Sequence, residues 1–153
     1  MKYYLAYGSN MSVTQMDHRC PRAVYVGAAE LKDYRLLFKG SKSGCYLTVE
    51  PMKGRTVPCL VWMVDEKDEG ALDRYEGCPT FYKKKDIRVA LRSLTGDDLG
   101  EVDAFFYQMD RRRGPGAPEW WYFDVCEEGY DRFGFDKDIL FTALDESTKG
   151  VAI

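Results

Sequence analysis

Histidine is almost missing from this chain: His18 stands alone among 153 residues. A Ser-His-Asp triad and a Cys-His nucleophile each need an imidazole beside the nucleophile, so one histidine on a short predicted helix disfavours both. Metal ligands are equally scarce. His18 and Cys20 lie close in sequence, but no second cluster completes a zinc-type site, and the pair reads as surface or packing residues. The five cysteines, at positions 20, 45, 59, 78 and 126, are odd in number and form no C-x-x-C pair. They read as reduced, mostly buried thiols in a reducing cytoplasm rather than a disulfide framework. A positive excess is also lacking. Lys and Arg total 22 against 25 Asp and Glu, a formal net charge of -3, which argues against nucleic acid or an anionic membrane as partner. No apolar run is long enough to span a bilayer. The opening residues, Met1 to Gly8, lack the long apolar stretch of a signal peptide, so the expected location is cytoplasmic. No G-x-G-x-x-G and no G-x-x-x-x-G-K-[ST] occurs, which leaves a nucleotide cofactor unsupported.

The length fits one domain over 1–153 with one core. Strand patterns dominate the first two thirds. Lys2 to Ala6, Ala23 to Leu31, Tyr34 to Phe38, Cys45 to Val49, Val57 to Val64, Phe81 to Leu91 and Val102 to Tyr107 read as strands. Breaks are expected at Gly40, Gly44, Pro51 and Gly54. Ser12 with Gln15 predicts a capped helix over Val13 to Arg19. Asp65 caps a predicted helix from Glu66 to about Tyr75, ended by Gly77 and Pro79. Helices are also predicted over Glu119 to Glu128, with Pro118 before it and Gly129 ending it, and over Asp136 to Glu146. Asp110 to Pro118 reads as a loop. Six or seven mostly consecutive strands with few helices predict an α+β fold. Its sheet is expected to be largely antiparallel and curved into a partly closed barrel.

Two segments stand out chemically. Tyr7-Gly8-Ser9-Asn10 lies between a strand and a helix. Gly8 permits close backbone approach or positive φ, and Asn10 tolerates the left-handed region or caps a helix. Successive N–H groups there can form an anion nest, although an ordinary turn uses the same residues. Glu76 falls at the C-terminal end of its predicted helix, where the dipole disfavours an anion. Leu72, Tyr75 and Phe81 would partly desolvate it. Both effects raise a carboxyl pKa toward general acid/base use; a solvated surface glutamate is the plainer account. Cys78 lacks a partner histidine. Arg111-Arg112-Arg113 can steer an anion or simply be a solvated loop. Trp120 and Trp121 fit core, interface or pocket wall.

Taken together, these segments resemble the γ-glutamylcyclotransferase-like family over nearly the whole chain. Tyr7-Gly8-Ser9-Asn10-Met11 is similar to its signature loop. Cys20-Pro21-x-Ala23 with Val26-Gly27-x-Ala29-x-Leu31-x-x-Tyr34-Arg35-Leu36-x-Phe38 is similar to its second block. Leu72-Asp73-x-x-Glu76-Gly77 looks like its catalytic block, and Pro118-x-x-x-Tyr122 with Gly129 like its C-terminal helix. The resemblance implies a small mixed β-barrel flanked by helices, with no metal and no organic cofactor. It implies that Glu76 is the catalytic acid/base. The backbone of Tyr7, Gly8, Ser9, Asn10 and Met11 would bind a γ-glutamyl group, and Tyr122 would reach the site. The implied reaction turns a γ-glutamyl amide into 5-oxoproline and a free amine, with lyase-type amine release, as in glutathione metabolism. The implied partner is a small γ-glutamyl molecule, and a homodimer is left open. A non-catalytic small-molecule binding module of the same fold is the alternative. A transferase or hydrolase with a covalent enzyme intermediate is a further one, disfavoured by the missing nucleophile–base pair.

Overall fold

The computed structural model describes residues 1–41 and 44–149; residues 42–43 and 150–153 of the expected domain lie outside the described residues. The elements run β1 (Lys2–Ala6), a single 3-10 turn (Ser9–Met11), α1 (Val13–Arg19), β2 (Val24–Ser41), β3 (Gly44–Val64), α2 (Glu66–Glu76), β4 (Tyr82–Arg92), β5 (Asp98–Met109), β6 (Gly114–Pro115), α3 (Trp120–Phe133) and α4 (Lys137–Thr148). The fold is α+β, as expected.

The sheet order is β3-β1-β5-β4-β2-β6, with β2 also pairing β3. Five strands therefore form a ring, and β6 is appended outside it on β2. All pairs are antiparallel except β1 with β5, so the barrel is mixed. Its seam is narrow: β2 meets β4 only at Ala28 opposite Arg92. Gly27 makes that approach feasible, because a Cβ there would sit 2.1 Å from the Arg92 carbonyl oxygen. Closure largely removes the free edges of an open sheet. Leu5, Leu31, Phe38, Val49, Val61, Trp62, Phe106 and Tyr130 belong to one continuous core cluster.

Four expected strands between residues 23 and 64 are in fact two. Pro51 and Pro58 stay in register within β3, opposite Tyr34 and Glu30. The expected break near Lys32 is a bulge between Lys32 and Tyr34. Asp33 takes φ 63 there and its Oδ1 accepts the Gly54 N–H at 2.9 Å. Bulges bend a long strand without ending it, so the turn residues mark curvature. Part of the expected 110–118 loop is the short strand β6.

The helix caps follow the sequence. The Ser12 Oγ accepts the Gln15 N–H, and the Asp65 carboxylate accepts the Asp68 N–H at 2.7 Å. Gly77, at φ 64, closes α2. Gly129 is a correction: it lies inside α3, which continues to Phe133 and is closed by Gly134. A Cβ at Gly129 would lie 2.8 Å from the Met11 Cβ. Glycine at this position lets the helix press against the turn after β1. No described helix is long and apolar enough to cross a membrane.

Candidate active site

β1 delivers the chain to the mouth of the barrel. Tyr7 follows at once and its hydroxyl donates to the Tyr107 carbonyl at 2.5 Å. Gly8 is needed for space and not for positive φ. A Cβ there would lie 3.2 Å from the Tyr122 hydroxyl and 3.6 Å from Leu47. The 3-10 turn is tied by Met11 N–H to Gly8 O and Ser12 N–H to Ser9 O. From the core, Trp62 Nε1 donates to the Asn10 carbonyl at 2.9 Å. Asn10 neither caps a helix nor adopts the left-handed region, a correction to both readings of it. It lies inside the turn and is 3% exposed, with its side chain turned inward.

Glu76 approaches the same space as the last residue of α2. A cavity of about 300 Å³ is lined by Tyr7, Gly8, Ser9, Asn10, Glu76 and Tyr122. The structure thus brings together six of the seven residues expected at the site. Met11 is the exception. It is fully buried against α3, and its N–H is committed to Gly8, so it supports the loop and does not face the cavity.

Burial pushes the Glu76 carboxyl up to about 7, while the Arg19 guanidinium pulls against that shift. Among the described residues no cation forms an ion pair with Glu76. Its hydrogen-bond partner is the Asn10 side chain, whose Nδ2 lies 3.5 Å from Oε1. Around it stand the phenols of Tyr4, Tyr7, Tyr82 and Tyr122, each held well above the usual tyrosine range, chiefly by burial. They are neutral near pH 7. The site is therefore one titratable carboxyl among neutral hydroxyls, with the Arg19 guanidinium also at the cavity wall.

Tyr122 reaches the cavity in the expected register, between an exposed Trp120 and a Trp121 that stands at the cavity wall. Its hydroxyl is committed to the backbone of β3. A phenol beside a carboxylate should bond it, yet the Tyr122 oxygen accepts the Leu47 N–H at 3.0 Å. Tyr82 donates to the Leu47 carbonyl at 2.7 Å. The two tyrosines so fix one stretch of β3 under the site.

Arg19, Tyr4, Tyr82 and Tyr107 also line the cavity, and the sequence did not single them out. The tyrosines come from three strands far apart in the chain, so no local motif joins them. Eleven tyrosines in 153 residues was the one compositional sign. Of the three consecutive arginines, Arg112 pairs with Asp110, and Arg113 lies over the Phe81 ring at the cavity wall, 4.2 Å from its centroid. Cys78 is not among the lining residues, and His18 is exposed.

A half-buried carboxyl that titrates near neutrality can take and return a proton within one reaction. Several known proteins are similar to the chain. A family model described as gamma-glutamyl cyclotransferase, AIG2-like, matches residues 4–123, a span that includes the turn, Glu76 and Tyr122. The chain is 30% identical over 122 residues to a gamma-glutamylaminecyclotransferase of Mus musculus, covering 78% of each. It is 33% identical over 126 residues to a gamma-glutamylcyclotransferase of Bos taurus, covering 76% of this chain and 64% of that one. A solved gamma-glutamyl cyclotransferase structure superposes with a TM-score of 0.77 at 23% identity, over 93% of this chain and 85% of the other. An AIG2-like protein of Mus musculus gives a TM-score of 0.57 at 25% identity, over 80% and 83%. The chain belongs to the gamma-glutamyl cyclotransferase, AIG2-like family.

Proposed function

We propose that this protein is a γ-glutamyl cyclotransferase with Glu76 as its general acid/base. The observation that carries the reading is the Glu76 carboxyl, raised to about 7 inside a cavity it shares with the turn at residues 7–10. The family match supports cyclotransferase activity in general and leaves the amine half of the substrate unassigned.

The chemistry fits one carboxyl. The α-amine of a γ-glutamyl amide, unprotonated, attacks the γ-carbonyl carbon of its own chain. Glu76 as carboxylate takes the proton that this nitrogen sheds as the new C–N bond forms. Glu76 as acid then gives that proton to the departing nitrogen, the original amide C–N bond breaks, and 5-oxoproline and a free amine remain. Ring closure is intramolecular, so holding the reactive conformer supplies much of the acceleration. The loop backbone from Tyr7 to Asn10 serves either the developing oxyanion or the α-carboxylate. A carboxyl near 7 is well matched to both halves at neutral pH, because it is present in both forms.

A binding module of the same fold would gain nothing from a desolvated carboxyl at a helix C-terminus. Product analysis by mass spectrometry over γ-glutamyl peptides and amines separates the readings. Release of 5-oxoproline is expected. Free glutamate would point to hydrolysis, and unchanged substrate across the panel to binding alone.

A further inference from the structure

We propose that Arg19 is a positioning residue for Glu76, acting through the side-chain amide of Asn10. The inference rests on the cyclotransferase reading of Glu76 above.

Arg19 ends α1 and lines the cavity. Its guanidinium donates to the Asn10 Oδ1, and a second nitrogen donates to the Tyr75 hydroxyl at 2.7 Å. The group also lies over the Tyr75 ring, 3.6 Å from its centroid. A guanidinium has donors only. Of the two ends of the Asn10 amide, the oxygen alone can face it. The nitrogen is then turned the other way, toward the Tyr4 hydroxyl at 3.0 Å and Glu76 Oε1 at 3.5 Å. Trp62 holds the Asn10 backbone carbonyl, and the residue is 3% exposed. With the backbone pinned, the freedom left to Asn10 is rotation of its amide, and Arg19 removes it. A flipped amide would set a carbonyl oxygen against the carboxylate, an unfavourable acceptor–acceptor contact. Tyr75, which anchors the outer side of Arg19, is the residue before Glu76. One helix end thus carries both the carboxyl and the anchor of the group that orients its donor.

The groups that face Glu76 come from every side. Tyr4 and Tyr7 come from β1 and the residue after it, Tyr82 from β4, Tyr107 from β5, Tyr122 from α3, and Arg19 from α1. The phenols are all raised and neutral. Arg19 carries the full charge of the set, and it favours the ionised carboxyl against burial.

The test compares Arg19→Met, which removes charge and donors, with Arg19→Lys, which keeps the charge but not the fork. On the full chain, Glu76 titration is followed by carboxyl 13C NMR, and kcat and KM are measured on a γ-glutamyl amide found in the product screen. Arg19→Met should lower kcat about tenfold or more, with KM within about twofold. The Glu76 midpoint and the acid limb of kcat should both move to higher pH. Arg19→Lys should restore the midpoint and only part of kcat. Tyr75→Phe, on a half-exposed residue that tolerates change, should move both in the same direction by less. The proposal is overturned by a folded Arg19→Met with wild-type kcat and midpoint, or by a loss confined to KM. It is also overturned if Arg19→Met does not fold and Tyr75→Phe moves neither quantity. If no γ-glutamyl amide yields 5-oxoproline, the cyclotransferase reading fails, while the Glu76 midpoint still decides the role of Arg19.

Discussion

Glu50 and Glu76 are both carboxylates drawn out of bulk water by the same barrel, and their surroundings differ in kind. Glu50 is 6% exposed and meets the buried Lys39 ammonium at 2.7 Å. Lys39 donates in turn to the Arg111 carbonyl at 3.0 Å, which pins the start of the 110–118 segment. Charge there is matched by charge, and the pair holds chain against chain. Glu76 is offered an amide nitrogen at 3.5 Å and a ring of phenols, with no ion pair among the described residues. Burial raises its carboxyl to about 7, against the pull of the Arg19 guanidinium. A carboxylate that is buried without a counterion can exchange a proton at neutral pH.

The widest separation between the two should appear in turnover. Glu76→Gln keeps shape and removes proton transfer, so 5-oxoproline formation should fall about 100- to 10,000-fold. Binding of a γ-glutamyl compound, read by calorimetry, should survive. Near wild-type turnover in a folded Glu76→Gln would falsify the acid/base assignment.

Glu50→Gln should do the reverse. It strands the Lys39 ammonium in the interior, and losing one partner of a buried pair costs about 3–5 kcal/mol. Thermal unfolding should show a large drop in Tm, while the folded protein keeps its kcat. If activity vanished with Tm unchanged, the division of roles between the two glutamates would be mistaken.

The pH dependence of stability sharpens the contrast. The Glu76 pKa is raised from an ordinary 4.5 to about 7 on folding. A raised acid contributes stability that is fully present below about 4.5 and is lost as pH rises through about 7. Wild type and Glu76→Gln should therefore be equally stable near pH 4. Above pH 7 the variant should be the more stable, by up to about 3 kcal/mol. Denaturant titrations at several pH values give the difference directly. A constant gap across that range would mean that Glu76 titrates normally.

Much of this site was legible in the sequence because it is local. Strand, glycine, turn and capped helix occupy residues 2–19, and Asp65 with Gly77 brackets a helix that must end beside Glu76. What was hidden depends on partners distant in the chain. Gly129 looked like a helix stop because its actual reason, the close contact with Met11, lies 118 residues away. Pro51 and Gly54 looked like strand ends because bulges inside a long hairpin use the same residues as turns. Arg19 was only a helix end until the fold set Asn10 and Tyr75 on either side of its guanidinium.

The smallest predicted effect tests where the Tyr122 hydroxyl acts. Had it bonded the carboxylate, Tyr122→Phe would weaken turnover and leave folding largely intact. Its oxygen instead accepts the Leu47 N–H, a buried donor. Removing that acceptor leaves a donor unsatisfied, at about 1–3 kcal/mol. Tm should fall by roughly 2–4 °C for each kcal/mol lost. The same hydroxyl stands where a Cβ on Gly8 would be 3.2 Å away, so its loss also loosens the packing behind the loop, and turnover should fall less than tenfold. Tyr82→Phe is the matched control, because it strips the donor from the Leu47 carbonyl and should also lower Tm. If Tyr122→Phe instead collapses turnover at unchanged Tm while Tyr82→Phe does not, the phenol acts on the reacting atoms and not on the strand beneath them.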